Sequence, residues 1–207
     1  MNYLLAHPGE VGTLLLEHLK LTFGALAIAF AIAAPLGVLA ARKQRAGALI
    51  LGTLGVIYTI PSLALFALLI PVLGLGFPTA LVALVAYAQM ILVRNIATGL
   101  REVPAGMREA ALGLGLSPLQ ALWRVEIPQA LGAIVGGIRI ATVSLIAIAN
   151  LAAWIDAGGL GVLLFAGLQR DEPDKIVAGS VVCIALALLA DLSLRGLERA
   201  ARRFAAV

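Results

Sequence analysis

Long apolar segments recur along the chain and are separated by shorter polar stretches. The segments cover about residues 19–41, 46–73, 77–100, 129–155 and 176–194. Each is long enough to cross about 30 Å of hydrocarbon as a helix. A helix satisfies its own backbone hydrogen bonds in lipid, whereas an open sheet leaves backbone groups unpaired. The pattern therefore predicts an all-α, polytopic membrane bundle of about five transmembrane helices.

The composition supports a membrane protein with one domain. Of the 207 residues, 62% are hydrophobic and 13% are charged, and the mean hydropathy is +1.05. An average soluble domain is about half apolar and about a quarter charged. No linker, low-complexity tract or internal repeat divides the chain. We expect a single domain over residues 1–207, with its transmembrane part at about residues 15–197.

The basic residues predict the orientation of the bundle. Three basic clusters lie beside apolar segments, which is typical of a membrane-orientation signal rather than a nucleic-acid surface, so no nucleic-acid partner is expected. With five spans, all three clusters fall on one side, which the positive-inside rule makes cytoplasmic. The N-terminus is then outside and the C-terminus cytoplasmic. The clusters are Arg42, Lys43 and Arg45; Arg101, Arg108 and Arg124; and Arg195, Arg199, Arg202 and Arg203.

Residues for chemistry within the chain are scarce. The single cysteine, Cys183, lies in an apolar segment, so neither an intramolecular disulfide nor a metal-ligand spacing is available. The phosphate-binding pattern G-x-x-x-x-G-K-[ST] does not occur, so the chain is not expected to hydrolyse ATP. We assign no catalytic residue, no metal site and no cofactor to it.

The gap at about residues 101–128 is polar and amphipathic, and it falls on the cytoplasmic side. A short helix is expected to open at Pro104, because proline suits a first helical position. Gly113 and Gly115 are expected to end that helix.

A second short helix follows the glycines. Ser117 and Gln120 have the spacing of a capping box, with Pro118 at the first helical position. We expect this helix to run to about Glu126 and to stop before Pro128. From the physics of the segment alone, the two short helices could equally be an interfacial hairpin that only connects two spans.

A motif in this gap resembles a known family. Glu109-Ala110-Ala111, three residues, Gly115, nine residues and Val125-Glu126-Ile127-Pro128 resemble the EAA loop of ABC importer permeases. Val125 and Ile127 replace the family's Ile and Leu conservatively. The resemblance implies a type I permease fold and a coupling helix that docks on a cytoplasmic ATPase. The coupling residues that it implies are Glu109, Ala110, Ala111, Gly115, Ile127 and Pro128.

Further segments resemble the glycine betaine, choline and carnitine branch of that family. They cover most of the chain from about Leu14 onward: IYTIPSLALFALLIPVLGLG, VRNIATGL, GGIRIATVSLIAIANLAAWIDAGGLG and ALALLADLSLRGLERAARR. The resemblance implies an importer of small osmoprotectants in the bacterial cytoplasmic (inner) membrane. The implied partners are cytoplasmic ATPase subunits that carry ATP and Mg, an extracytoplasmic solute-binding protein, and a second permease subunit, like or unlike this one.

Candidate residues of the translocation path or gate lie in three segments. The resemblance around IPSLAL favours a gate or cavity role for Pro61 and Ser62. Arg139 lies about 15 Å into the fourth span, where it could line the path, brace a gate, or act as a structural cation bonded to neighbouring carbonyls. Asn150 belongs to the same set. Trp154 fits an aromatic belt at the membrane interface, or an outer gate.

Two other charged positions have structural interpretations. Arg94, near the cytoplasmic end of the third span, is interpreted mainly as snorkelling into the headgroups. Asp191 is expected to pair with Arg195 one helical turn later.

Alternative functions remain open at this point. The same architecture could carry another small solute, such as an amino acid. An ion-coupled secondary transporter generally needs ionisable groups at mid-membrane, and Asp191 is the one carboxylate well within an apolar segment. An intramembrane enzyme would need mid-membrane histidines or paired acids, which the sequence lacks.

Overall fold

The computed structural model describes the backbone of residues 2–205 and the side chains of residues 3–203. Over that range the chain forms helices joined by short turns, and no strand occurs. The predicted all-α class is confirmed. The helices are α1 (Asn2–Ala6), α2 (Pro8–Arg42), α3 (Gln44–Thr59), α4 (Ser62–Leu73), α5 (Phe77–Arg101), α6 (Ala105–Gly113), α7 (Pro118–Ala121), a π-helical segment (Leu122–Glu126), α8 (Ile127–Ala149), a 3-10 segment (Asn150–Ile155), α9 (Gly161–Arg170) and α10 (Pro173–Ala205).

Four of these helical units are long and apolar enough to cross a membrane singly. They are Pro8–Arg42, Phe77–Arg101, Pro118–Ile155 and Pro173–Arg203. Helices α3 and α4 qualify together but meet at an angle of 97°. Counted as one broken span, this pair brings the total to five, as the apolar pattern predicts.

The second predicted span, residues 46–73, is divided at its centre into α3 and α4. Pro61 lacks an N–H and disfavours a helical conformation at the residue before it. Ile60 accordingly has extended backbone angles, φ −66° and ψ 127°. The Ile60 carbonyl accepts a hydrogen bond from the Tyr87 hydroxyl on α5. The break therefore has a tertiary partner as well as a local cause.

The helix before Pro128 does not stop as expected. Helix α7 continues through the π-helical segment into α8, and the Ile127 N–H donates to the Leu122 carbonyl. In this wider turn the N–H bonds to the carbonyl five residues earlier instead of four. Pro128 has no N–H, so the helix continues through it without leaving a backbone donor unpaired. The result is one helical unit from Pro118 to Ile155.

Other helix boundaries differ from the prediction where the ends of the helices are polar. Helix α2 begins at Pro8 rather than near residue 19, α10 continues to Ala205, and the gap at residues 156–175 holds helix α9. Hydropathy marks only the apolar part of a helix, whereas the backbone bonding continues through amphipathic turns. The apolar pattern therefore does not predict α9, and it predicts α2 and α10 too short.

Helix α5 lies at the centre of the bundle, between α2 and α8, and α10 packs on α8 and α9. Small residues form the contact surfaces. A methyl group added at Gly37 of α2 would come within 2.5 Å of Ile96 on α5. One added at Gly137 of α8 would come within 2.5 Å of Asn95 on α5. Small residues allow this close approach of helices in a membrane, where dispersion contacts drive association.

Large apolar side chains are exposed on the outer helices. They include Leu49 and Val56 on α3, Leu68 and Val72 on α4, and Ile184, Leu188, Leu189 and Leu192 on α10. A water-soluble monomer rarely exposes apolar patches of this extent. The pattern fits helices that face lipid or another protein chain.

Candidate coupling loop and transmembrane groove

The segment between α5 and α8 folds into two short helices around a glycine turn. Helix α6 begins after Pro104 and ends at Gly113, and Gly115 has a φ of +84° that favours glycine. The Ser117 N–H donates to Gln120 Oε1 (2.8 Å), and the Gln120 N–H donates to Ser117 Oγ (3.3 Å). The predicted glycine turn and capping box are both confirmed.

The family motif places some of its residues outward and others inward. Glu109, Ala110 and Gly115 are exposed, whereas Ala111 is buried against the bundle. Ile127 and Pro128 are half-buried at the start of α8. Large apolar side chains protrude from the same loop, among them Leu114, which is 84% exposed; the others are Met107, Leu112, Leu119 and Trp123. The loop presents an acidic and apolar surface that this chain leaves uncovered.

A buried carboxylate ties this loop to the bundle. Glu126 is 1% exposed and accepts from Arg42 Nη2 (2.8 Å) and from Arg108 Nη2 (2.9 Å). Arg42 ends α2, Arg108 lies on α6 and Glu126 immediately precedes α8. We call this set the Glu126 clamp. Charge-assisted hydrogen bonds of this kind are stronger than neutral ones, so the clamp holds three elements in one arrangement.

The sequence analysis quoted Glu126 within the motif but did not include it among the site residues. The available signal was an ionisable residue at the entrance to an apolar helix, flanked by Val125 and Ile127. A buried charge is costly unless it is paired. That cost pointed to cationic partners, but only the tertiary structure identifies Arg42 and Arg108 as those partners.

Arg139 connects α8 to α10. Its Nη1 donates to Asp191 (2.7 Å) and its Nε to Glu198 (2.9 Å). Glu198 also accepts from Arg202 (2.9 Å). Asp191 therefore pairs with Arg139, and the expected Asp191–Arg195 pair is not what the structure shows. The partners of Arg139 are carboxylates of another helix rather than neighbouring carbonyls.

The candidate path residues do not lie together. Pro61 and Ser62 mark the bend between α3 and α4. Asn150 Nδ2 donates to the Ile146 carbonyl (3.1 Å) and to Cys183 Sγ (3.1 Å), which joins the end of α8 to α10. Trp154 is exposed and stands edge to face on Phe165 of α9, with ring centroids 5.2 Å apart. With Arg139, these residues form no common cluster.

An open groove of about 670 Å³ lies between α3, α5 and α8. Its walls combine small, apolar and polar side chains, and none of the five candidate path residues lines it. The lining residues are Gly52, Gly55, Val56, Tyr58 and Thr59 of α3, Met90, Ile91, Arg94 and Asn95 of α5, and Ile140 of α8. No local sequence pattern predicts this groove, because residues from three helices form it.

At the end of the bundle opposite the α6–α7 loop, polar side chains of α2 form hydrogen bonds with the backbone of other elements. His18 is fully buried, its Nε2 donates to the Ile146 carbonyl (3.1 Å), and its Nδ1 accepts from the Leu160 N–H (3.3 Å). Glu17 Oε2 accepts from the Gly159 N–H (3.0 Å). His18 lies just before the first predicted span, which begins at about residue 19, and belongs to no predicted site. Its contacts are those of a neutral imidazole that fixes the segment before α9.

Within residues 2–205, no group of three or more His, Cys, Asp or Glu side chains could hold a metal ion. The polar groups described above serve helix contacts and the groove wall. The geometry is that of a membrane bundle with an exposed, protruding loop at one end.

Comparison with known proteins identifies the family. Residues 33–203 match the model of the binding-protein-dependent transport system inner membrane component. The chain belongs to this family. It is therefore a transporter subunit of the inner membrane rather than an enzyme, as the sequence analysis predicted.

Relatives match nearly the whole chain. The chain is 39% identical over 203 residues to the osmoprotectant import permease protein OsmW of Salmonella typhimurium, covering 96% of this chain and 94% of that protein. It is 38% identical to the carnitine transport permease protein OpuCB of Listeria monocytogenes, covering 88% and 84%. It is 37% identical to the choline transport system permease protein OpuBB of Bacillus subtilis, covering 96% and 92%.

The fold of this inner membrane component is that of a solved importer. A chain of the MetNI methionine ABC transporter, in an inward-facing conformation, superposes with a TM-score of 0.81 at 25% identity, covering 93% of this chain and 96% of that chain. The predicted type I ABC importer permease fold is confirmed. The orientation of the termini stays a prediction.

Proposed function

We propose that this chain is the permease subunit of an ATP-driven importer of small osmoprotectants such as glycine betaine, choline or carnitine. The observation that carries the coupling mechanism is the α6–α7 loop, which exposes Glu109 and Leu114 while the Glu126 clamp attaches it to α2 and α8. The names of the relatives support the cargo class.

The loop is suited to receive force from a separate protein. Its exposed apolar side chains and Glu109 supply a docking surface for a cytoplasmic ATPase subunit, which would bind ATP and Mg. Movement of α6 reaches Arg108 and then Glu126, which precedes α8. Arg42 conveys the same displacement to the end of α2. Packed helices respond to such a push by shifting between discrete arrangements.

The remaining partners follow from the family. An extracytoplasmic binding protein would deliver the solute, and a second permease subunit, identical or paralogous, would complete the membrane pathway. Aromatic side chains make up 5% of this chain, and quaternary amines are usually recognised by aromatic cages. Most of the cargo selection therefore belongs to the binding protein. The loop end of the bundle would face the cytoplasm.

The cargo is tested by reconstitution. The chain, its ATPase and its binding protein are placed in proteoliposomes, and uptake of labelled glycine betaine, choline and carnitine is measured with methionine as a comparison solute. We expect ATP-dependent uptake of at least one of the three quaternary amines and none of methionine. Undiminished uptake without the ATPase would end the proposal of an ATP-driven importer.

The coupling role of the loop is tested by two glycine variants. Gly115→Val forces a β-branched side chain into a φ of +84°, at a cost of about 1–2 kcal/mol or more in the loop. We expect uptake to fall about tenfold while the variant still inserts. Gly113→Val is the matched control, because Gly113 has helical backbone angles and open space around it.

Further variants identify the cause of a loss of uptake. Gly115→Asn should restore part of the uptake, because asparagine tolerates positive φ better than valine. Glu109→Lys reverses the charge of an exposed side chain and should uncouple ATP hydrolysis from uptake. Equal uptake by Gly115→Val and wild type, together with normal uptake by Glu109→Lys, would refute the coupling assignment.

A further inference from the structure

The groove between α3, α5 and α8 has the size of a small-molecule site. Its volume of about 670 Å³ lies in the usual range of ligand clefts, about 300–1,000 Å³. Gly52 and Gly55 have no side chains to fill the groove from the α3 side. A methyl group added at Gly52 would meet nothing within 4 Å. The groove therefore has free space at the depth of the membrane-spanning helices.

Arg94 brings an uncompensated positive charge to this groove. Three other arginines near the helices that form the groove have carboxylate partners: Arg42 and Arg108 bind Glu126, and Arg139 binds Asp191. Arg94 forms neither an ion pair nor a hydrogen bond with any residue in the range 3–203. It lies seven residues before the end of α5, or about 10 Å along the helix axis. An ionisable residue within a span usually faces a water-filled cavity and marks a functional site.

Tyr58 supplies an aromatic surface on the same groove. Its side chain is 45% exposed and stands edge to face on Tyr87 of α5, with ring centroids 5.9 Å apart. The Tyr87 hydroxyl is fixed by the Ile60 carbonyl, which holds the aromatic pair in place. Tyr87 and Arg94 are two helical turns apart on one face of α5, about 10 Å along the axis. Tyr58 and Arg94 both line the groove, so a solute in it can meet the ring and the guanidinium together.

We propose that Arg94 and Tyr58 form a transit site for zwitterions that carry both a carboxylate and a quaternary ammonium group. The guanidinium of Arg94 binds the carboxylate through charge-assisted hydrogen bonds, and the Tyr58 ring binds the ammonium group through a cation–π contact. The site deepens the proposed function and rests on it. Glycine betaine and carnitine have both groups, whereas choline has no carboxylate.

The site would give the membrane subunit a selectivity of its own. A solute with a carboxylate gains a partner at Arg94, whereas a purely cationic solute meets a like charge that no described carboxylate offsets. Discrimination arises from the repelled solute as well as from the favoured one. The permease is therefore expected to pass zwitterions faster than choline, even when the binding protein is saturated with either solute.

The test measures the ratio of two transport rates. The complete transporter, with its ATPase and its binding protein, is reconstituted in proteoliposomes. Initial uptake of glycine betaine and of choline is measured at saturating concentrations of each. In Arg94→Gln, uptake of glycine betaine is expected to fall about tenfold while uptake of choline stays equal or rises. Arg94→Lys, which keeps the charge, should retain most of the preference.

Two control variants separate the site from general effects. Arg45→Gln removes a positive charge from α3 outside the groove lining and should leave the ratio unchanged. Tyr58→Leu should lower uptake of both solutes, because both carry the quaternary ammonium group, and Tyr58→Phe should retain uptake of both. ATPase stimulation by the loaded binding protein checks that each variant assembles.

Distinct outcomes overturn the two proposals. If wild type takes up neither solute, the osmoprotectant function fails, and the transit site fails with it. If wild type takes up both, but Arg94→Gln lowers both in parallel or changes neither, only the transit site is refuted. A selective loss of glycine betaine uptake that Arg94→Lys repairs supports the site.

Discussion

Single residues set how closely the helices of this bundle approach. Gly37 on α2 lies against Ile96, Gly99 on α5 against Ala133, and Gly137 on α8 against Asn95. At each position an added methyl group would come within 3.0 Å of a neighbouring side chain. Dense packing leaves little room to relax, so these glycines fix the spacing of α5 from α2 and α8.

The packing role of Gly37 can be measured against a second glycine of the same helix. Gly37→Ala places a methyl group 2.5 Å from Ile96 Cγ2, and overpacking of this kind costs about 1–3 kcal/mol. Gly24→Ala is the matched control, since its methyl group would lie 3.8 Å from Leu81. Thermal unfolding of the purified protein in detergent should show a lower Tm for Gly37→Ala only. Equal Tm values for the two variants would contradict the packing argument.

At the scale of an element, the bend between α3 and α4 combines a local and a tertiary cause. Pro61 removes a backbone donor and drives Ile60 into an extended conformation. The Ile60 carbonyl, which a continuous helix would pair internally, instead accepts from Tyr87. The same tyrosine supports Tyr58 at the edge of the groove. The bend and the groove wall are therefore coupled through one side chain of α5.

A double-mutant cycle tests this coupling. Tyr87→Phe leaves the Ile60 carbonyl without its partner and should destabilise the protein by about 1–3 kcal/mol. In a Pro61→Ala background the cost should be smaller, because Ala64 could donate an i to i−4 hydrogen bond to Ile60 if the helix closes. The free energies of unfolding of the four proteins give the interaction energy. If the free-energy changes of the two single variants simply add up in the double variant, then packing, rather than Pro61, maintains the bend.

At the scale of the whole molecule, ion pairs at one end and side-chain to backbone hydrogen bonds at the other connect the helices of an apolar bundle. The Glu126 clamp joins α2, α6 and α8 at the loop end. At the other end, Glu17 and His18 hold the backbone of Gly159 and Leu160. Between them, small residues allow close helix packing, and Arg139 bonds α8 to α10. Both ends of the bundle are therefore fixed by charged or polar side chains as well as by packing.

The clamp makes a prediction for stability. Glu126→Gln leaves two guanidiniums without their carboxylate. We expect a loss of about 3 kcal/mol, near the low end for a broken buried pair, because Arg42 and Arg108 are 31% and 37% exposed. Thermal unfolding in detergent should then show a Tm lower by about 6 °C or more.

A nearby acid provides the control for Glu126→Gln. Glu102→Gln makes the same charge change at an exposed position and should shift stability by no more than about 0.5 kcal/mol. A Tm for Glu126→Gln that equals the Tm for Glu102→Gln would show that the clamp contributes nothing.

The family motif and the apolar pattern predicted much of this molecule. Apolar segments long enough to cross the membrane had to become helices, because lipid offers no hydrogen-bond partner for their backbone N–H and C=O groups. The short helix at Pro104, the turn at Gly115 and the capping box at Ser117 follow from local backbone preferences. The structure confirms all three, with Pro104 as the residue before the helix rather than its first residue. These features depend on residues close together in sequence.

Contacts between distant residues were decided only by the tertiary structure. The partners of Glu126, Asp191 and His18 lie on other elements, and the groove at Arg94 needs three helices to exist. The sequence by itself determined that the chain spans a membrane and that two short helices flank a glycine turn, because periodicity and turn chemistry are local. Which charges meet and where space remains were settled by packing, because helix rotation and spacing depend on all the neighbours at once.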